Sequence, residues 1–233
     1  MDVIIVSKTH MTNAACVGGI SGSGKFVRLL NENGYNQDVD TKLKIGDVWT
    51  IEYNERPNKK PPHIEDVLVT KMTFKFSFES EKKMIEYLKE KLNIKIWNGS
   101  PDVLFDGKLN WTNNGSGYIN EEGGIPQNSV GFWISNQPLR RKILSGQRED
   151  ESSWESTRYN YPNINGWRNL PYVGFEDAIE VIPAGTLIRV SLARWWDTNG
   201  KTEERCSLQL SGWYDLPEPE QTNEKGVNDD LPF

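Results

Sequence analysis

Apolar and polar positions alternate with a period of two along much of the chain, and that pattern predicts strands. Val3-Ile4-Ile5-Val6 is a short apolar run, and Ala15 to Ile20 is a second one that ends at the glycine-rich Gly22-Ser23-Gly24. Phe26-Val27-Arg28-Leu29-Leu30 follows and stops at Asn33-Gly34. From Ile45 to Tyr53, Trp49, Ile51 and Tyr53 alternate with Thr50 and Glu52, and Val67 to Phe78 alternates again through Val69, Met72, Phe74 and Phe76. Pro57, Pro61 and Pro62 mark a loop between these two strands. One segment has the helical period instead. From Glu79 to Asn93, Met84, Ile85, Leu88 and Leu92 share one face, and Ser80 stands where an N-cap belongs.

The later part of the chain is again strand-like but richer in turns. Lys95 to Trp97, Lys108 to Thr112 and Val130 to Ile134 are candidate strands. Ser145 to Asn169 is polar and reads as a long loop, a feature that in a compact domain is often functional. Thr186 to Trp196 is the strongest strand pattern, Asn199-Gly200 a hairpin turn, and Glu203 to Trp213 the returning strand. A weak internal repeat relates Leu43 to Ile51 with Ile182 to Val190, each placing a turn glycine (Gly46, Gly185) just before an alternating strand. Two strand-rich halves around one helix favour a mainly β chain of two tandem OB-like barrels, with a single large sandwich as the alternative. The expected units are 1–94, including the helix 79–93, then 95–214, and a disordered acidic tail over 215–233.

Charge sharpens the tail. The chain has 27 basic and 33 acidic residues, but residues 215–233 hold six acids and one lysine, leaving the body with 26 against 27. A near-neutral body must rely on local arginines and stacking rings rather than on a long-range positive field. Aromatic residues make up 11% of the chain, enough to serve both a core and a stacking surface. No apolar run is long enough to cross a membrane, and the first residues lack the pattern of a secretory signal. With Cys16 and Cys206 alone, a disulfide scaffold is excluded and a cytoplasmic, reducing location is expected.

Several candidate chemistries fit poorly. Gly19 to Lys25 looks like a phosphate-binding loop, but Phe26 replaces the needed hydroxyl residue and a strand, not a helix, follows. It reads better as a hairpin whose Lys25 can touch a phosphate. His10, His63, Cys16 and Cys206 lack metal-ligand spacing; His63 is expected to face solvent, and both cysteines to sit in strands as small apolar groups. Acids cluster at Asp102, Asp106, Glu121 and Glu122, and at Glu149 to Glu151, with nothing to show that they converge on a metal. No catalytic residue, metal or cofactor is assigned.

The hairpin from Thr186 to Tyr214 is more informative. Alternation puts Ile188, Val190 and Leu192 on one face with Cys206, Leu208 and Leu210, and Leu187, Arg189, Ser191, Ala193 and Trp195 on the other with Arg205. Arg189, Arg194, Trp195 and Arg205 therefore suggest a face for single-stranded nucleic acid, through phosphate forks and ring stacking. Trp133, Arg140, Arg141 and Lys25 are candidate extensions of it, and Tyr159, Tyr161 and Trp167 candidate stacking rings in the polar loop.

The chain ends Asn228-Asp229-Asp230-Leu231-Pro232-Phe233. A terminal phenylalanine fills an apolar pocket, its carboxylate needs a basic partner, and the acids steer it to a positive rim. This end resembles the tip of bacterial single-stranded DNA-binding protein. The body is similar to bacterial dual-OB-domain proteins. The residues that carry this likeness are Cys16 to Ile20, Phe26 to Leu30, Gly46 to Trp49, Pro61 to Asp66, Pro183 to Leu187, Leu192 to Trp196 and Leu210 to Tyr214. That likeness implies two OB folds and nucleic-acid binding, with no catalytic residues. The reading is an accessory protein that binds single-stranded DNA or RNA. Its tip, Asp229, Asp230, Leu231, Pro232 and Phe233, docks on repair or replication proteins that recognise such tails, or folds back on its own groove. The alternatives are a metal-dependent enzyme acting on nucleic acid through Asp102 and Asp106, and an interaction adaptor that binds no nucleic acid.

Overall fold

The computed structural model describes residues 1–11, 13–147, 153–164, 166–197 and 203–214. The alternating segments of the first half fold as strands β1 (Asp2–Met11), β2 (Ala14–Ser21), β3 (Phe26–Asn31), the short β4 (Gln37–Asp38), β5 (Asp47–Glu55) and β6 (Asp66–Ser77). Their order is β1-β5-β6-β3-β2-β4, and β1 pairs back with β2, so five strands close into a barrel. Only β3 and β6 run parallel, with Arg28 opposite Asp66; the other pairs are antiparallel. This is the Greek-key connectivity of an OB barrel. Inward positions carry Val3, Ile5, Val17, Leu29, Ile51 and Val67, all buried. Gly19 to Lys25 forms the β2–β3 hairpin turn, with Lys25 exposed and its backbone N–H donating to Ser21 Oγ.

Helix α1 (Glu81–Glu90) follows, capped by Ser80, whose hydroxyl accepts from the Lys83 backbone N–H at 3.2 Å. Met84, Ile85 and Leu88 are buried, as their spacing requires. They pack in one cluster with Ile4, Val6, Phe132, Leu187 and Tyr214, so the helix face joins the two halves of the fold.

The second half continues with β7 (Ile96–Gly99), a kinked 3₁₀ segment over Pro101–Gly107, β8 (Asn110–Trp111), β9 (Gly117–Ile119), β10 (Val130–Ser135), β11 (Leu139–Gln147), β12 (Ser153–Asn163), β13 (Gly166–Pro171), β14 (Val181–Ile182), β15 (Leu187–Leu192) and β16 (Cys206–Tyr214). One sheet runs β7-β10-β15-β16-β9-β8 and another β13-β12-β11-β14. Together they curl into a half-barrel around Trp133, Tyr159, Ile188, Val190 and Leu208. The internal repeat has a structural counterpart. Gly46 and Gly185 both hold positive φ, +90° and +84°, immediately before β5 and β15. Their N–H groups reach Ile5 O on β1 and Ser135 O on β10, and β5 pairs with β1 as β15 pairs with β10.

Two expectations are corrected. Residues 145–169 are not a long loop where described, since β11, β12 and β13 form an antiparallel ribbon. The segment reads as polar because Ser156, Arg158 and Asn160 alternate with the inward residues of β12. Tyr159 and Tyr161 alternate with these and are buried, their hydroxyls donating to Ile179 O and Asn136 Oδ1. They are core residues, not exposed stacking rings. His63 does not face solvent but is 1% exposed. The Asn199-Gly200 turn, Glu149 to Glu151 and the tail 215–233 lie outside the described residues.

Candidate nucleic-acid interface

β2 and β3 of the barrel and β15 and β16 of the half-barrel border a cavity of about 710 Å³. The β2–β3 face is the surface with which OB folds commonly bind strands. Here the second half of the chain roofs it. The barrel supplies Cys16, Gly18, Arg28 and Tyr35; the half-barrel supplies Arg189, Ser191, Gln209 and Ser211.

The two walls are tied together by buried charge. Asp66 opens β6 and is 1% exposed. Its carboxylate accepts from Arg28 Nε at 2.5 Å, Arg56 Nη1 at 2.7 Å and Arg194 Nη2 at 2.6 Å. Burial by itself pushes an acid up, but the charge of Arg28 and the bonds from Arg194 and Arg28 outweigh it and hold Asp66 below the usual carboxylate range. The neighbouring Glu65 accepts from the Ser129 backbone N–H at 2.6 Å and its hydroxyl at 3.0 Å. Burial pushes Glu65 up in spite of these bonds. Four arginines (Arg28, Arg56, Arg189, Arg194) line the cavity with one acid, Glu65, while Asp66 lies buried behind three of them, an excess of positive charge in a body that is near-neutral overall.

Arg189 lies on the inner wall and is 1% exposed. Its guanidinium sits 5.1 Å from the Phe26 ring and 5.0 Å from the Phe132 ring, and Nη1 donates to Gly131 O at 3.1 Å. Burial lowers its pKa, yet arginine starts so high that it stays charged. A Cβ on Gly18 would fall 2.4 Å from Ser7 Oγ and 3.5 Å from Arg189 Nη2, so it is the close approach of Ser7 that requires glycine there. The face predicted to be open is therefore closed at Leu187 and Arg189, which the first barrel covers. Trp133 is also corrected: it is fully buried and its indole N–H donates to Gly99 O, so it offers no ring at the surface.

The rim differs. Tyr35 and Trp196 are 72% and 68% exposed and both border the cavity. Trp195 is half-buried, its indole N–H donating to Pro61 O at 2.8 Å with Lys60 Nζ 4.7 Å from its ring centroid. Arg194 and Trp195 line the cavity. Arg205 instead lies 4.0 Å over the Tyr118 ring. Arg140 is exposed on β11, whereas Arg141 donates to Ala178 O and Glu180. Neither these two nor Lys25 or Arg205 lines the cavity. Sequence reasoning missed Arg28, Arg56 and Tyr35. Their available signal was an arginine among the apolar residues of β3, and the acid pair Glu65-Asp66 directly after a proline loop.

Cys206 Sγ lies 3.6 Å from His63 Nε2, which also contacts Ala193 O at 3.0 Å. Burial pushes the Cys206 thiol up to about 12 and, with the charges of Arg28 and Arg194, pushes the His63 imidazole down to about 3. Both groups are neutral near pH 7, so they form no thiolate–imidazolium pair. Asp102 pairs with Arg168, and Asp106 with Lys95 and the Trp97 indole. Among the described residues no group of three or more metal-ligating side chains converges. No helix among them is long and apolar enough to cross a membrane.

Comparison with known proteins agrees with the topology. No curated protein matches the chain. A family model described as a dual OB-containing domain matches residues 1–213, and two OB-like units suggest nucleic-acid binding in general. The chain belongs to the dual OB-containing domain family.

Proposed function

We propose that this chain binds single-stranded DNA or RNA at the cleft between its two OB-like units, 1–94 and 95–214. The observation that carries this reading is the meeting of Tyr35, Trp195 and Trp196 with Arg28, Arg56 and Arg194 around one cavity on the β2–β3 face. Rings stack on bases regardless of sequence, and guanidinium groups fork onto phosphates. Contacts are few and the body carries little net charge, so affinity is modest and its salt dependence shallow. Arg205, Arg140, Arg141 and Lys25 serve, in this reading, as outlying contacts to phosphates.

The tail 215–233 gives the second half of the proposal. Its tip, Asp229-Asp230-Leu231-Pro232-Phe233, docks on repair or replication proteins that recognise the same ending on single-stranded DNA-binding protein. What supports this is the order of acid pair, apolar residue, proline and terminal phenylalanine. The test is retardation of oligothymidine by the full chain and by a chain ending at Tyr214. The reading expects retardation by both, and binding of the tip peptide to a tail-recognising helicase that is lost on Phe233→Ala. A tip peptide that competes with no natural tail removes the docking half.

A further inference from the structure

The cavity is deeper than stacking at its rim requires. Its inner wall includes Ser7, Glu65, Ser129 and Arg189, each less than a tenth exposed, while Tyr35 and Trp196 at the rim are mostly exposed. Two guanidinium nitrogens of cavity-lining residues, Arg28 Nη2 and Arg189 Nε, are buried with no hydrogen-bond partner among the described residues. Each guanidinium is otherwise engaged, Arg28 at Asp66 and Arg189 at Gly131 O, but a buried N–H left without an acceptor is costly, and its natural complement is an anion rich in acceptors. Hydroxyls of Ser191 and Ser211, 2.8 Å apart, and the Gln209 amide add the neutral polar groups that suit a sugar. The acids do not cancel this preference. Asp66 is occupied by three arginines, and both Glu65 oxygens are occupied by Ser129. At about 710 Å³ the cavity falls within the range of roughly 300–1,000 Å³ typical of small-molecule sites. That is room for one nucleotide rather than for a length of strand.

We propose that the cavity between the barrel and the half-barrel receives a single phosphorylated nucleotide, with its phosphate toward Arg28 and Arg189 and its base toward Tyr35 and Trp195. This deepens the reading of the cleft as a strand-binding site and rests on it. The shared chemistry has two sources, the terminal nucleotide of a phosphate-ended strand or a free nucleoside monophosphate.

The test uses the full chain and measures binding by calorimetry or anisotropy. The probes are oligothymidine of about ten nucleotides with a 5′-phosphate, a 3′-phosphate or neither, and thymidine monophosphate. Ser191→Phe fills the cavity from its half-buried wall, and Gln209→Trp is a second filling variant should the first not fold. The expected result is at least about tenfold tighter binding of one phosphate-ended strand than of the bare strand. Either filling variant brings the ratio of phosphate-ended to bare-strand affinity, measured within that variant, down to about one. Binding of thymidine monophosphate, blocked by the filling variants, in a protein that binds no strand identifies the free nucleotide as the ligand; the cavity proposal then stands and the strand reading falls. Equal binding of all three strands, with none by the mononucleotide, overturns the cavity proposal and leaves the strand reading intact. A phosphate preference that survives both filling variants also overturns it.

Discussion

Arg194 donates from Nη2 to Asp66 Oδ2 at 2.6 Å, joining residues 128 apart in sequence and one wall of the cleft to the other. Asp66 is the hub of this joint, since Arg28 and Arg56 bind the same carboxylate. Removing its charge leaves three guanidinium groups competing for neutral partners. Asp66→Asn is expected to lower stability by about 3 kcal/mol, the scale for breaking a buried ion pair by removing one partner. Urea unfolding followed by tryptophan fluorescence measures it. Arg194→Met removes only one, half-exposed, arm and is expected to cost less.

His63 sets a pH dependence. Its neighbours are Arg28, Arg194, Asp66 and Cys206. Burial first, and then the two arginines, depress its pKa from 6.5 to about 3 in the folded chain. Between those values the unfolded chain takes up a proton that the folded chain refuses, so His63 makes stability fall as pH falls from about 6.5. Glu65, with its raised pKa, acts in the opposite sense. Comparison with His63→Gln isolates the histidine. The variant is expected to lose less stability than the wild type between pH 7 and pH ~4. A parallel pair of stability curves contradicts the assignment.

The two tryptophans nearest the question separate cleanly. Trp196 is mostly exposed at the rim, and Trp133 is wholly buried. Trp196→Ala is expected to weaken oligothymidine binding by about 1–3 kcal/mol and leave the unfolding midpoint nearly unchanged. Trp133→Ala is expected to cost about 3–5 kcal/mol of stability, with binding affected only through folding. Anisotropy and urea unfolding on the same two variants check both halves.

Gly46 and Gly185 occupy the left-handed region where L side chains are strained. Alanine at either one is expected to destabilise by about 1–2 kcal/mol. Since the two turns are equivalent, the two losses should be similar in thermal or urea unfolding.

The barrel was readable in the sequence because β5 sets Trp49 and Ile51 between Thr50 and Glu52, and because β1 is an apolar run buried on both faces, Val3 and Ile5 in the barrel core and Ile4 and Val6 against α1. Helix α1 shows its three buried residues at helical spacing. The repeat around Gly46 and Gly185 was readable for the same local reason, a turn glycine ahead of an alternating strand. The β11–β13 ribbon was not, because Tyr159 and Tyr161 are the only large inward residues at the centre of β12 amid arginine, asparagine and serine. The site was half legible. Arg194, Trp195 and Trp196 stand out on the hairpin, but alternation alone places Arg189 on an open face. Its burial comes from the barrel packed over it, a contact between segments distant in sequence. For the same reason the bond from Arg194 to Asp66 and the burial of His63 against Ala193 had no local signature.

The most direct test of the cleft as a strand-binding site is quenching of tryptophan fluorescence by oligothymidine at low and moderate salt. It compares the full chain with a Tyr35→Ala, Trp196→Ala double variant. Binding in the cleft requires saturable quenching with a log–log salt slope no steeper than about −2, as for two or three phosphate contacts, and at least about tenfold weaker binding by the double variant. Absence of quenching and of retardation at low salt, or undiminished binding by the double variant, contradicts it.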